Sequence, residues 1–325
     1  MSSEIRRKAI AMKNRSEVQI SRRKVIQGVP LALLGTALEA SSLHQQPFFA
    51  RHGLPIGLQL YTLGDMVDED LHAALQAAAD IGYREVEIST LKGITPAAFS
   101  EALRSTGMTC NSMQVNPVAD LPVIAERAHA IGVAYVVTSM VSFLAKIPPD
   151  AGAATGSALI AGAARMTADD WKRSADQLNE TGAALKRLGL KFAYHNHNHE
   201  FAPRFDGQSG YDILLRDTDP ALVCFEMDVG WVAAAGRDPV ELFRAHRARF
   251  THVHVKDTVG ATEPNYEFKQ NPADVGDGVL NWRAILPAAY GAGVRHFYVE
   301  REPPFPISRI ESARRSFDFL NRLVA

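Results

Sequence analysis

One short pattern returns along this chain: a helix end rich in Ala and Leu, a Gly, then an apolar run of β-branched and aromatic residues. It occurs as Ala77–Gly82 before Tyr83–Ser89, Ala102–Gly107 before Met108–Met113, and Arg127–Gly132 before Val133–Ser139. It returns as Ala184–Gly189 before Leu190–His195 and as Ala288–Gly293 before Val294–Glu300. The Gly stands where a helix stops in a left-handed residue, and the residues after it have strand chemistry. The first three copies repeat every 25 residues, at Gly82, Gly107 and Gly132, which is room for one helix and one strand. Adding Pro55–Tyr61, Val223–Asp228 and Phe250–Lys256 brings the strands to eight. Thr95-Pro96, Thr167 and Asp238-Pro239 each join a capping side chain to a helix-compatible first turn. Strands alternating with helices require a parallel sheet, and eight such units predict an α/β (βα)8 barrel over residues 55–325. Two connectors, Ala145–Arg165 and Asp257–Gly278, are long. Both come after strands, so both are expected as lids or binding loops on the active face.

The bulk composition, 46% hydrophobic and 22% charged, is that of a globular protein. The net charge of −1 hides an asymmetry: residues 1–42 carry +5 and the remainder −6. A body that acidic excludes nucleic acid as the expected partner, because binding it needs a basic track. Residues 1–42 resemble a twin-arginine export signal, with Arg22-Arg23 ahead of a weak apolar stretch from Val25 to Leu38. Val25-Ile26 stands where Phe-Leu is commonest in such signals, and Ala40-Ser41-Ser42 is a loose cleavage site. The apolar stretch is too short for a stable membrane anchor. The expectation is a periplasmic or secreted protein with an export leader over 1–42 and a linker over 43–54. Cys110 and Cys224 lie in apolar strand-like runs and are expected as free thiols.

The chemistry lies at the strand ends. Tyr194-His195-Asn-His197, Glu226-Met-Asp228, His252-Val-His254-Val-Lys256 and Tyr298-Val-Glu300 each end a predicted strand with groups able to hold a divalent ion. In a parallel barrel the carboxyl ends of the strands converge on one pocket. Strand side chains alternate, so His195 shares a face with His197, Glu226 with Asp228, and His252 with His254 and Lys256. Burying Asp228, His254 and Glu300 together is expensive without a cation. Carboxylate and imidazole donors suit Mn, Co, Zn or Fe. A lone His such as His252 reads instead as a satisfied interior group.

These motifs, with Tyr194–Phe201, Glu226–Trp231, His254–Asp257 and Val275–Trp282, resemble the sugar isomerase/epimerase families with a xylose isomerase-like TIM barrel. That superfamily also holds metal-dependent apurinic endonucleases. The resemblance covers about residues 55–324. It implies one divalent metal ion held from strands five to eight, here by His195, Asp228, His254 and Glu300. Many members have Glu at the position of His195, and epimerases of the group use it with the strand-eight Glu as paired bases. Glu200, five residues on, is the remaining carboxylate that would have to reach back. Trp231 stands where the endonucleases often have a ligating His, so their trinuclear site is incomplete. Some dehydratases of the group, acting on keto-cyclitols, also carry a His-rich strand five.

The expected chemistry is proton abstraction beside a carbonyl through an enediolate, by a metal-dependent isomerase or epimerase acting on a sugar or keto-sugar. The alternative outcome of the same step is a lyase that performs β-elimination. A third reading, from another class, is a non-catalytic sugar-binding or partner subunit. His197, Lys256 and Glu300 are the candidate catalytic residues, with a solvated strand-end lysine the other reading of Lys256, and Trp231 and Trp282 could stack on a sugar or simply plug the barrel rim. Glu87 and Gln59 are weaker candidates for hydroxyl contacts, their structural role weighing more. A homo-oligomer, or a small partner subunit completing the pocket, stays open.

Overall fold

A computed structural model describes residues 46–89, 93–116, 118–139, 146–147, 156–260 and 263–325. The export-signal reading of residues 1–42 lies outside them. Eight strands close a barrel: β1 (Gly57–Gln59), β2 (Glu85–Ile88), β3 (Thr109–Gln114), β4 (Tyr135–Thr138), β5 (Lys191–His195), β6 (Cys224–Asp228), β7 (Phe250–Val255) and β10 (His296–Val299). Each pairs in parallel with the next, and β10 pairs with β7 on one side and β1 on the other. Two short strands, β8 (Asp257–Thr258) and β9 (Pro272–Ala273), form an antiparallel pair inside the connector after β7.

The predicted punctuation holds. Gly82, Gly107, Gly132, Gly189 and Gly293 all have positive φ. The side chains of Thr95, Thr167 and Asp238 accept from Ala98, Asp170 and Val240 N–H groups at their helix starts. Within the described residues 46–54, the helix Phe48–His52 buries Phe48 and Phe49 against Phe297, and the Phe48 N–H donates to the Leu323 carbonyl. The Ala145–Arg165 connector contains a helix at Gly156–Ala164, where Ala-rich sequence has high helix propensity. Cys110 and Cys224 are free thiols.

The helix Ala168–Arg187 starts with a reciprocal cap between Thr167 and Asp170. Asp170 is buried and pairs with Lys146 at 2.9 Å and with Arg173. Burial opposes its charge, but Lys146, Thr167 and Arg173 outweigh that and hold its carboxyl below the usual range. A depressed folded-state pKa gives stability that is present above the unfolded value and lost as pH falls through the folded one. Asp170→Ala should therefore cost about 1–3 kcal/mol at neutral pH. In urea melts that deficit should shrink as pH drops below about 4, where the carboxylate starts to protonate in the unfolded chain while the folded one still holds its charge.

Candidate active site

The site grows from strand register. Asp228 on β6 lies beside His254 on β7, and His195 on β5 beside Glu226 on β6. Ligand atoms of His195, Asp228 and His254 all lie within 4.8 Å of one another. Glu300 comes directly after β10, and its Oε2 is 2.9 Å from His254 Nδ1. Asp228 does two jobs. Its Oδ1 caps the helix Val229–Ala234 by accepting from the Trp231 N–H at 2.9 Å, while its Oδ2 faces Lys256 Nζ at 2.8 Å and His254 Nδ1 at 3.8 Å. Asn196 pins the two strand ends together, accepting from the Asp228 N–H and donating to its carbonyl.

A deeper layer orients this one. Glu226 Oε1 lies 2.8 Å from His195 Nδ1 and 3.2 Å from His254 Nε2. Glu87 Oε2 lies 2.6 Å from His254 Nε2 and accepts from Gln59 Nε2 at 2.9 Å. Ser112 donates to Glu87, and Gln114 to Glu226. Carboxylates behind ligating imidazoles fix ring orientation and tautomer. Glu87 and Gln59 are fully buried and stand in this layer, where their contacts are with protein groups. Glu226 was visible in the sequence only as sharing a face with Asp228.

Lys256 is buried, with Nζ 2.8 Å from each of Asp228 Oδ2, Glu300 Oε2 and Glu302 Oε1. Burial disfavours its charge, but those three carboxylates win and raise its pKa well above normal. The same balance, struck by Glu226, Glu300 and Glu87 against burial, raises His254. Burial lifts the Asp228 carboxyl to about 6 against the pull of Lys256. His197 goes the other way: burial, then Lys256, lowers it to about 3, so its ring is neutral. Its Nδ1 is buried without a partner, and its ring lies 5.0 Å from that of His195 and 5.6 Å from Trp231.

The remaining candidates separate. Trp231 stands beside the cluster, 5.1 Å from Lys256 Nζ, with its indole N–H unpartnered. Trp282 is not brought into the cluster: its indole N–H donates to Asp257 Oδ2 at 2.7 Å. Glu200 is fully buried and accepts from the Tyr194 hydroxyl at 2.8 Å. Tyr194 neighbours His195 on the strand and so points to the opposite face. Glu200 therefore does not reach back to complete the metal site. His252 lies deeper, its Nδ1 2.8 Å from the Thr251 hydroxyl and its ring stacked 4.8 Å from His296. Glu302, the third partner of Lys256, had no motif in the sequence to mark it.

The donor set fits a divalent ion. Two imidazoles and two carboxylates converge, and an ammonium already sits where positive charge is called for. His195, Asp228, His254 and Glu300 are the residues that would hold it.

Residues 75–323 match the xylose isomerase-like TIM barrel family, and the chain belongs to it. Among curated proteins it is 27% identical over 139 residues to an inosose dehydratase of Lacticaseibacillus casei, covering 39% of this chain and 45% of that one. The chain spans about half the length of such relatives. Among solved structures it is similar to a sugar phosphate isomerase/epimerase from Parabacteroides distasonis ATCC 8503. There the identity is 24% and the TM-score 0.64, over 82% of this chain and 93% of that one. It is also similar to an IOLI protein with a bound zinc atom, at 17% identity and TM-score 0.60 over 81% and 95%. These likenesses show the fold. The named relatives are enzymes of both the dehydratase and the isomerase/epimerase kinds. Among the described residues no helix is long and apolar enough to cross a membrane.

Proposed function

We propose that the chain is a divalent-metal-dependent lyase that dehydrates a polyhydroxylated ketone, a keto-cyclitol or keto-sugar, through an enediolate. The observation that carries this choice is that, among the described residues, neither position 195 nor Glu200 offers a second carboxylate base opposite Glu300. Position 195 is a His turned onto Glu226, and Glu200 is tied to Tyr194. Inverting a carbon by the two-carboxylate route needs a carboxylate on each face of the substrate. Here the other groups are imidazoles and an ammonium, which suit proton removal on one side and protonation of a departing oxygen on the other. The curated dehydratase relatives support the same outcome.

When bound, a divalent ion supplies Lewis acidity toward the carbonyl oxygen. The chain supplies the proton traffic. Neutral His197 offers its open Nδ1 to the proton beside the carbonyl, and negative charge arriving next to it stabilises its imidazolium form. Lys256, held charged beside Glu302, gives a proton to the β-oxygen. The α-C–H and β-C–O bonds break, a C=C bond forms and water leaves. Trp231 offers its ring face and free N–H to the polyol. The paired Arg22-Arg23 support a setting outside the cytoplasm, which favours an unphosphorylated substrate.

Incubation with keto-cyclitols and keto-sugars in heavy water, with Mn²⁺ supplied, tests the reading. An absorbing enone should accumulate as substrate disappears. Solvent deuterium entering recovered ketone or its epimer without elimination would instead mark an isomerase or epimerase, the other outcome of the same enediolate. Binding without either would mark a sugar-binding subunit.

A further inference from the structure

We propose that Lys256 is a resident cation that holds the divalent ion's place between Asp228 and Glu300, and that Glu302 is the positioning residue that receives its ammonium when the ion enters. The inference rests on the metal reading of the site given above. Lys256 Nζ stands 2.8 Å from Asp228 Oδ2 and 2.8 Å from Glu300 Oε2, two of the four groups that would hold an ion. An ion bound there and an ammonium at hydrogen-bond distance compete for the same oxygens. The third contact, Glu302 Oε1 at 2.8 Å, belongs to no candidate ligand. Its side chain is 27% exposed, against 1% for Lys256 and none for Asp228. The ammonium thus has an anchor on the solvent side that leaves Asp228 and Glu300 free.

The surroundings are built for this lysine. A Cβ on Gly230 would come within 2.7 Å of Lys256 Cγ and 2.8 Å of its Cδ, so glycine there leaves the channel its stem crosses. Trp231 offers its ring 5.1 Å from Nζ, a cation–π contact available along that channel. Glu302 is itself held: Arg301 donates to its carbonyl at 2.7 Å and is anchored by a buried ion pair with Asp274, also at 2.7 Å. An ammonium in place gives three carboxylates (Asp228, Glu300 and Glu302) a shared cation before the ion arrives.

The test is Mn²⁺ affinity of the full chain by calorimetry, with thermal melts of chelator-treated and Mn²⁺-loaded protein. Lys256→Met should bind Mn²⁺ about tenfold or more tightly, because a like charge at contact distance is gone. Its metal-free melting point should fall while the loaded one falls less. Glu302→Gln should bind Mn²⁺ about tenfold more weakly in the wild-type background, yet change little in the Lys256→Met background. That non-additivity marks a residue acting through the lysine. Equal or weaker binding by Lys256→Met overturns the assignment, as does a Glu302→Gln effect that persists without the lysine. Should Lys256→Met fail to fold, Glu302→Gln alone decides: weaker binding supports the assignment, equal or tighter binding overturns it. No Mn²⁺ binding by any form overturns the metal reading and this inference together.

Discussion

Asp228→Asn should abolish turnover, by about 10³-fold or more, and weaken divalent-ion binding at least a hundredfold, while leaving the barrel folded. Three features argue for this pairing of effects. Asp228 Oδ1 serves the helix start through the Trp231 N–H, and the amide oxygen of Asn caps nearly as well. The position of Oδ2 is then taken by an NH₂ group, which cannot ligate and which faces the Lys256 ammonium. Finally, burial has pushed the Asp228 carboxyl up to about 6. A raised carboxyl pKa means that its charge costs the folded state stability as pH rises from the unfolded value, near 3.9, through the folded one. A neutral isostere relieves that cost, while its NH₂ facing the Lys256 ammonium adds one in return, so the metal-free melting point of Asp228→Asn should stay close to wild type at pH 7. Chelator treatment should reproduce the activity loss in the wild type, and added ion should restore it there but not in the variant. An Asp228→Asn protein with near-normal activity would end the metal mechanism.

The same duality explains how far the sequence could be read. Helix–Gly–strand punctuation marked five of the eight barrel strands, because each such unit is local and its stop signal needs a left-handed residue, and apolar strand-like runs supplied the other three. The upper layer of the site was legible for a related reason. His195, Asp228, His254 and Glu300 stand at the carboxyl ends of predicted strands, and the barrel's symmetry alone brings such ends together. What stayed hidden depends on reach and register. Glu302 lies a short way past the end of a strand, and only the direction of the Lys256 stem over Gly230 makes it a partner. Glu226 became an orienting group because Glu226 pairs with His195 in register, a relation no spacing within one strand encodes. Trp282 was open between a sugar platform and a rim plug, and only the bond from its N–H to Asp257 sets it apart from the cluster. Glu200 fails for parity, since its anchor Tyr194 faces away from the cluster.

Asp257→Asn should be the most destabilising isosteric change near the site, at about 3–5 kcal/mol. Asp257 is next to Lys256 in the chain and points to the other side of it, fully buried. One carboxylate oxygen accepts from the Thr258 and Leu280 N–H groups at 2.9 and 3.2 Å. The other accepts from the Gly276 N–H at 3.0 Å and from Trp282 Nε1 at 2.7 Å. Four donors on two oxygens saturate an ionised carboxylate, which has acceptor capacity and no proton of its own. An Asn can serve one pair only. Whichever way its amide turns, an NH₂ group faces two N–H donors, leaving them unpaired in a dry interior. Gly278 allows no escape, since a Cβ there would lie 2.1 Å from Asp257 Oδ1, a sign of how closely the backbone wraps this side chain. The residues so gathered tie the β8–β9 connector, whose Phe268 lies 5.6 Å from His197 and 6.4 Å from Trp231, to the helix Trp282–Ala292. Loss of the carboxylate should therefore release that connector before the barrel opens. Hydrogen exchange should show early loss of protection over residues 257–282, together with a lower denaturant midpoint. Protection there equal to wild type would mean that the four bonds contribute little, and that the connector is held by its apolar contacts instead.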